Sequence, residues 1–294
     1  MSSTSTVTLA AAPARLADFL ELTKPRITFL VLVTTAVGYV VGLASGFDIA
    51  AFAALLAGTA LVSGGASALN QYWEREADAR MHRTSKRPIP SGRVAPGDAL
   101  AFGLVISTAG FALLATVNGL TYFLGVIALA SYVLAYTPLK RVTSLCTVVG
   151  AIPGAIPPMM GWAAARGSLD PGAWGLFSLL FLWQLPHFLA IGWMFREDYE
   201  RAGFPMLTVL DRDGGSTARQ AVLSCAALLP VTVLAGGLVS AGMLYLIGAL
   251  ALGGLFLAGS LRFALRKSRE AARGLFLISI LYLPALLALM VFDR

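Results

Sequence analysis

Three side chains with oxygen donors follow one another at four-residue intervals: Asn70, Glu74 and Asp78. On an α-helix this spacing turns by only about 40° per step, so the three share one face. Two carboxylates and an amide on one face suit a hard divalent cation such as Mg2+, which prefers oxygen ligands. The alternative is a solvated helix end whose acids pair with Arg75 and Arg80, and the spacing alone leaves both open.

A basic cluster follows these acids, at Arg83, Lys86, Arg87 and Arg93. A polyphosphate group needs such a combination, because a metal held by carboxylates bridges its oxygens while guanidinium groups contact the rest. Basic residues by themselves are also typical of the cytoplasmic loops of membrane proteins. The cluster therefore favours a diphosphate site only together with the acids.

A second cluster of acids and bases reads REDYERAGFPML from Arg196 and places Glu197 and Asp198 next to each other. Neighbouring residues on a helix point about 100° apart, so which of the two acids contacts a metal is open. We expect both acidic clusters to lie at one membrane face and to converge on one ligand.

His187 and Trp183 lie inside an apolar stretch of about 20 residues. An ionisable group within a membrane span is a candidate functional residue, so His187 is a candidate ligand and Trp183, one turn earlier, a candidate cavity wall. The alternatives are a buried structural histidine and a tryptophan that packs in the core or faces lipid.

These residues must be positioned by membrane helices, since 57% of the 294 residues are hydrophobic and only 13% are charged, against about 25% charged in soluble domains. Such a composition excludes a soluble globule and a disordered chain. The apolar runs are continuous, so we predict an all-α, polytopic bundle of nine transmembrane helices. The predicted windows are 26–45, 49–70, 98–117, 119–137, 143–165, 172–195, 218–237, 241–261 and 274–292.

The basic residues are distributed unevenly between the two sides of this topology. Of the 22 Lys and Arg residues, all but Arg166 and Arg294 lie on the side of the amino terminus. This bias predicts a cytoplasmic amino terminus and an external carboxyl terminus. Residues 1–25 are expected to form a polar cytoplasmic segment, and 26–294 a single integral-membrane domain. The bias also accounts for the net charge of +7 without a nucleic-acid partner.

The stretch NQYWEREADARMHRTSKRPIPSG at 70–92 resembles the first aspartate-rich motif of the UbiA-type intramembrane prenyltransferases. That motif has the form N-x-x-x-D-x-x-x-D followed by a basic run, and here Glu74 replaces the middle aspartate. REDYERAGFPML resembles the second acidic motif of one branch, whose members farnesylate haem. YTPLKR at 136–141, GAIPGAIPPMMGW at 150–162 and FLWQLPHF at 181–188 also resemble that branch.

The resemblance implies the UbiA-type fold, a multi-pass protein of the bacterial cell inner membrane, and transfer of farnesyl from farnesyl diphosphate to a vinyl group of haem B. Water is added in that reaction, and haem O and diphosphate are the products. It implies Mg2+ or another divalent cation, and a haem A synthase or terminal oxidase assembly as a partner. The implied metal ligands are Asn70, Glu74, Asp78, Glu197 and Asp198, the implied diphosphate cations are Arg83, Lys86, Arg87, Lys140 and Arg141, and His187 and Trp183 would contact haem.

Two other functions are weighed against this one. A prenyltransferase of the same family could act on an aromatic acid or another quinone precursor, although such an acceptor has no need of His187. A transporter usually places charged groups near the middle of the membrane and often has inverted repeats. Here the acids lie mainly at one face and no internal repeat is evident, which disfavours transport.

Overall fold

The computed structural model describes residues 15–44 and 46–294. Within them, nine helical spans are long and apolar enough to cross a bilayer, as predicted. The helices are α1 (Leu16–Leu22), α2 (Pro25–Gly42), α3 (Ile49–Arg80), α4 (Pro96–Val117), α5 (Gly119–Ala130), α6 (Thr137–Leu139), α7 (Cys146–Arg166), α8 (Pro171–Met194), α9 (Arg196–Arg201), α10 (Leu207–Leu210), α11 (Gly215–Leu238), α12 (Met243–Arg266) and α13 (Arg269–Phe292). The fourth span, Gly119–Leu139, comprises α5, the π-helical residues Ser131–Tyr136 and α6.

The amino-terminal segment contains more structure than a polar lead-in. Helix α1 lies within the segment predicted over 1–25, of which 1–14 fall outside the described residues. Leu22 is fully buried, and its carbonyl accepts a hydrogen bond of 2.8 Å from the Gln71 side chain. The ring of Phe19 packs on Phe102 with 5.1 Å between centroids. Helix α1 is therefore docked against α3 and α4.

Helices α2, α3, α4, α5 and α7 form one half of the bundle, and α8, α11, α12 and α13 form the other, with α7 packed on α8. Large apolar side chains point outward from both halves, among them Val105, Leu134, Leu223 and Leu281. An apolar outer surface matches the hydrocarbon environment of membrane-spanning helices.

Glycines permit the closest helix crossings. A Cβ at Gly38 of α2 would lie 2.1 Å from the carbonyl oxygen of Pro158 in α7, and one at Gly65 of α3 would lie 2.0 Å from Ser107 Oγ in α4. Small residues allow this approach of backbones in membranes. Helix α7 runs from Cys146 to Arg166 with Pro153 and Pro157 inside it.

The fourth span changes its winding before it leaves the membrane. Residues Ser131–Tyr136, between α5 and α6, form a π-helical turn. Such turns occur frequently at functional sites, because they rotate the residues that follow. The turn directly precedes Thr137 and Lys140, and both contact the acidic face of α3.

The connections 81–95, 140–145 and 195–214 lie together at one end of the bundle, called here the site end. The carboxyl end of α3, the amino end of α7 and the carboxyl end of α8 all meet there. The acidic residues of both motifs therefore lie near these three helix ends.

Candidate active site

The acidic face of α3 is confirmed as a helical face, since α3 continues without interruption to Arg80. Asn70, Glu74 and Asp78 are 2%, 2% and 0% exposed. Burial this complete rules out the solvated helix end. Arg75 contacts the Tyr72 carbonyl and Glu76 instead of these acids.

Each buried carboxylate of α3 faces a cation from a different part of the chain. The ammonium of Lys140 lies 2.9 Å from Glu74 Oε1 and 3.0 Å from Oε2. The guanidinium of Arg87 donates to Asp78 Oδ2 at 2.6 Å. These pairings satisfy the requirement that buried charges have partners. Two of the five predicted diphosphate cations therefore already contact the acidic face.

The amide of Asn70 joins two elements that the sequence did not connect. Its Oδ1 accepts a hydrogen bond of 3.2 Å from the ammonium of Lys24, and its Nδ2 donates to Thr137 Oγ1 at 3.1 Å. Thr137 Oγ1 in turn donates to the Tyr132 carbonyl at 2.8 Å. Lys24 is not among the residues predicted for the site. Its only signal in the sequence is its position as a cation directly before the first span.

Lys24 has a left-handed backbone, with φ of 49°, a conformation that is uncommon for residues other than glycine. It directly precedes α2 and sends its side chain toward Asn70. Burial and the nearby Arg87 guanidinium lower the pKa of Lys24 to about 7. Burial alone would also lower the pKa of Lys140, but Tyr136 and the Glu74 carboxylate raise it above its ordinary value.

The two acidic motifs meet at the turn that follows α3. Asp198 accepts backbone hydrogen bonds from His82 at 3.3 Å and Arg83 at 3.4 Å, and also contacts Arg201. Thr84, in the same turn, donates to the Asp78 carbonyl at 2.9 Å. Convergence of the two motifs at one end of the bundle was predicted, and the contacts agree with it.

Burial separates the two neighbouring acids. Asp198 is buried, whereas Glu197 is exposed. Burial by itself would raise the pKa of Asp198, but the backbone N–H groups of Arg83 and His82 and the Arg201 guanidinium lower it below its ordinary value. Asp198 is therefore a charged carboxylate that hydrogen bonds hold in place beside the first motif.

The remaining predicted cations are placed differently. Arg83 donates to the Tyr199 hydroxyl at 3.0 Å and lies over the Phe195 ring, 4.9 Å from its centroid. Lys86 is exposed. Arg141 is exposed and donates to the Trp73 carbonyl at 3.1 Å, so the structure does not bring it to the buried carboxylates.

Arg93 ties the basic loop to the amino terminus. Its guanidinium contacts Asp18, lies 2.9 Å from Glu21 Oε2, and donates to the Lys86 carbonyl at 2.8 Å. Arg93 was predicted to belong to a phosphate-binding cluster. In the structure, it connects α1 to the loop 81–95 instead.

A divalent cation fits the chemistry of the acidic face. Among the described residues, no group of three His, Cys, Asp or Glu side chains is close enough to hold an ion. Mg2+ does not require one, because it usually takes one or two carboxylates and completes its shell with water and substrate phosphate. Asp78 Oδ1 is buried and has no hydrogen-bond partner in the described part of the chain. Such an unsatisfied oxygen is available to a metal.

His187 and Trp183 lie on the face of α8 that packs against α13. The Trp183 indole donates to the Ser279 carbonyl at 2.9 Å, and His187 Nδ1 lies 2.7 Å from Ser279 Oγ. Seven residues separate His187 from Met194 at the end of α8, a rise of about 10 Å. The pair is half-buried between α8 and α13, below the site end.

The sequence pattern of the UbiA prenyltransferase family matches residues 31–283. The chain belongs to this family. The protoheme IX farnesyltransferase of Solibacter usitatus (strain Ellin6076) is 50% identical to it, over 94% of this chain and 98% of that protein. The protoheme IX farnesyltransferase of Myxococcus xanthus (strain DK1622) is 45% identical over 96% of each chain.

Solved structures show that the fold is that of UbiA proteins. A structure of digeranylgeranylglyceryl phosphate synthase aligns with a TM-score of 0.80 at 17% identity, covering 95% of this chain and 98% of that one. A UbiA homolog from Archaeoglobus fulgidus bound to GPP and Mg2+ aligns with a TM-score of 0.64 at 15% identity, covering 93% and 99%.

In this UbiA-family prenyltransferase, the site end combines three properties. It contains buried carboxylates that can bind a cation. It also contains ammonium and guanidinium groups that can pair with phosphate oxygens, and it lies at one end of an apolar helix bundle. Ionisation of an allylic diphosphate needs these together, because charge on the leaving group must be neutralised where water is scarce.

Proposed function

We propose that this protein transfers a farnesyl group from farnesyl diphosphate to a vinyl group of haem B, with addition of water, giving haem O and diphosphate. The observation that carries the diphosphate half is the pairing of Glu74 with Lys140 and of Asp78 with Arg87. The names of the relatives that cover nearly the whole chain support farnesyl and haem as substrates.

The alternation of carboxylates and cations supports an exchange of partners on substrate binding, from carboxylate–cation pairs to carboxylate–metal and cation–phosphate contacts. Lys140 and Arg87 neutralise the carboxylates in the ligand-free protein, and Lys24 lies beside them on Asn70. Glu74 and Asp78 would hold Mg2+, and Lys24, Lys140 and Arg87 would then be available to pair with the diphosphate oxygens. The metal supplies charge neutralisation for the departing diphosphate. The side chains orient the leaving group and stabilise its charge.

The acidic set proposed for metal binding is Asn70, Glu74 and Asp78 from α3 with Asp198 from α9, and Glu197 as the alternative to Asp198. The burial of Asp198 favours it over the exposed Glu197. Arg83 is the further cation for diphosphate, because its backbone N–H contacts Asp198 and its guanidinium contacts Tyr199, although its side chain is exposed. Lys86 and Arg141 are exposed as well, and Arg141 contacts only the Trp73 carbonyl among the described residues, so both are proposed to contribute to the surrounding positive potential.

The acceptor is proposed to lie within the bundle. Farnesyl transfer requires an apolar container that excludes water until the new carbon–carbon bond has formed. His187 and Trp183 lie half-buried between α8 and α13, below the site end, and are the proposed haem contacts. Addition to the vinyl group leaves a cation, which one water molecule quenches.

The location follows from the charge bias. We propose a multi-pass protein of the bacterial inner membrane, with the site end and the amino terminus cytoplasmic and the carboxyl terminus external. Haem O then leaves the protein on the side of the site end or within the plane of that membrane, where a haem A synthase or a terminal oxidase assembly can bind it.

The deciding experiment is product analysis. Membranes containing the protein are incubated with haem B, farnesyl diphosphate and Mg2+, and the haem is examined by mass spectrometry, with an aromatic acid as the rival acceptor. A haem whose mass has increased by farnesyl plus water supports the proposal. A prenylated aromatic acid with unchanged haem B contradicts it.

A further inference from the structure

The carboxyl half of α8 is joined to α13 through one serine. Ser279 Oγ lies 2.7 Å from His187 Nδ1 and 2.6 Å from the Phe276 carbonyl oxygen of its own helix. Ser279 is fully buried. Its hydroxyl has one proton, so it can donate to one of these neighbours.

The two contacts together determine the tautomer of the histidine. A carbonyl oxygen can only accept, so the hydroxyl proton of Ser279 goes to Phe276. Ser279 Oγ then accepts from His187, which places the imidazole proton on Nδ1. Nε2 is left with an unprotonated lone pair, and it has no hydrogen-bond partner among the residues that the structure describes.

Two aromatic rings lie close to the imidazole. The Trp183 ring stacks on His187 with 5.0 Å between centroids and an angle of 25°, and the Phe276 ring lies 5.1 Å away at 33°. Trp183 is itself fixed by its indole hydrogen bond to the Ser279 carbonyl.

We propose that Ser279 is a positioning residue that presents His187 Nε2 to the iron of the haem substrate. This inference rests on the proposed function. Neutral imidazole with one nitrogen free and the other donating to an oxygen is the usual form of a metal-binding histidine. The Nε2 lone pair forms a coordinate bond to iron, and no proton or electron is transferred.

The first test is haem binding without farnesyl diphosphate. Purified protein is titrated with haem B, and the reduced complex is examined by resonance Raman spectroscopy. We expect an iron–histidine stretching band in the wild-type protein and its loss in His187→Gly. A wild-type complex that binds haem B without this band overturns the proposal.

The second test concerns Ser279. Ser279→Ala is expected to weaken haem B binding about 10- to 100-fold and to shift the iron–histidine band, as for other lost partners of ligating histidines. The matched control is Ser260→Ala in α12. Ser260 is also fully buried and also donates to a carbonyl three residues earlier, at 2.8 Å from Leu257 O, but it faces no histidine. Equal haem affinity and an unshifted band in Ser279→Ala overturn the positioning role.

A chemical rescue keeps the positioning role testable if Ser279→Ala does not fold. In His187→Gly, free imidazole can ligate iron and donate its N–H to Ser279, whereas 1-methylimidazole can only ligate. We expect imidazole to restore the haem complex at about 10-fold lower concentration than 1-methylimidazole. Equal concentrations for the two bases overturn the role of Ser279 as an acceptor.

Failure of this inference is separable from failure of the proposed function. Formation of haem O by a wild-type protein without an iron–histidine band leaves the proposed function intact and removes the ligation. An iron–histidine band in a protein that prenylates only an aromatic acid removes the proposed reaction. The spectroscopic and mass measurements therefore report on different claims.

Discussion

The ammonium of Lys140 contacts both carboxylate oxygens of Glu74, at 2.9 and 3.0 Å, although 66 residues separate the two in the chain. The π-helical turn at Ser131–Tyr136 lies near the end of the fourth span, four residues before Lys140. Both side chains are buried. An ion pair of this kind makes each partner depend on the other for stability.

Removing one member of this pair is expected to destabilise the protein. Lys140→Met leaves Glu74 buried without its cation, at a cost of about 3–5 kcal/mol in the free energy of unfolding. The double variant Glu74→Gln/Lys140→Met should recover most of that loss and still lack transferase activity. Thermal unfolding in detergent measures the first effect, and additive losses in the double variant would contradict the coupling.

Asp78→Asn should reduce transfer to background while the protein still inserts and folds, because the buried Oδ1 without a partner is proposed to bind the metal. Haem O formation in membranes with equal protein content is the measurement. Glu76→Gln is the matched control, since Glu76 lies on the same helix but is exposed. Wild-type activity in Asp78→Asn would remove this residue from the metal site.

The two acids of the second motif should differ. Asp198→Asn loses the charge that accepts the backbone N–H groups of His82 and Arg83. Hydrogen bonds to charged groups contribute about 1.5–3 kcal/mol to stability, and loss of such a partner beside a metal site lowers activity about 10- to 100-fold, which is the decrease we expect here. Glu197→Gln should stay close to wild type because Glu197 is exposed. The reverse order of activities would assign the metal to Glu197.

Lys24, which the sequence analysis missed, should affect binding of the diphosphate substrate. Lys24→Gln is expected to raise the KM for farnesyl diphosphate about 10- to 100-fold, and Lys24→Arg should retain most of the affinity. Lys267→Gln provides the control, because Lys267 also has a left-handed backbone but is exposed, directly after α12. An unchanged KM in Lys24→Gln would exclude contact with diphosphate.

Removal of divalent cations should stop diphosphate release. Excess chelator leaves Glu74 and Asp78 paired with Lys140 and Arg87, so the leaving group loses its main neutralising charge. Release measured by a coupled diphosphate assay should return when Mg2+ is restored. Unaltered turnover in chelator would rule out metal-assisted ionisation.

The sequence by itself determined the spans and the acidic face. Hydrophobic runs long enough to cross a bilayer must be helices there, because backbone groups in lipid must bond internally. Four-residue spacing then places Asn70, Glu74 and Asp78 on one face wherever the helix lies. Both predictions depend only on local geometry, which neighbouring residues set.

Tertiary structure decided which charges meet. Lys140 contacts Glu74 and its neighbour Arg141 does not, Asp198 is buried and Glu197 is not, and Ser279 accounts for the tautomer of His187. The residues in these contacts lie 66 to 116 positions apart in the chain. Helix packing, the π-helical turn and the path of the loops bring them together, and none of these follows from the spacing of residues within one segment.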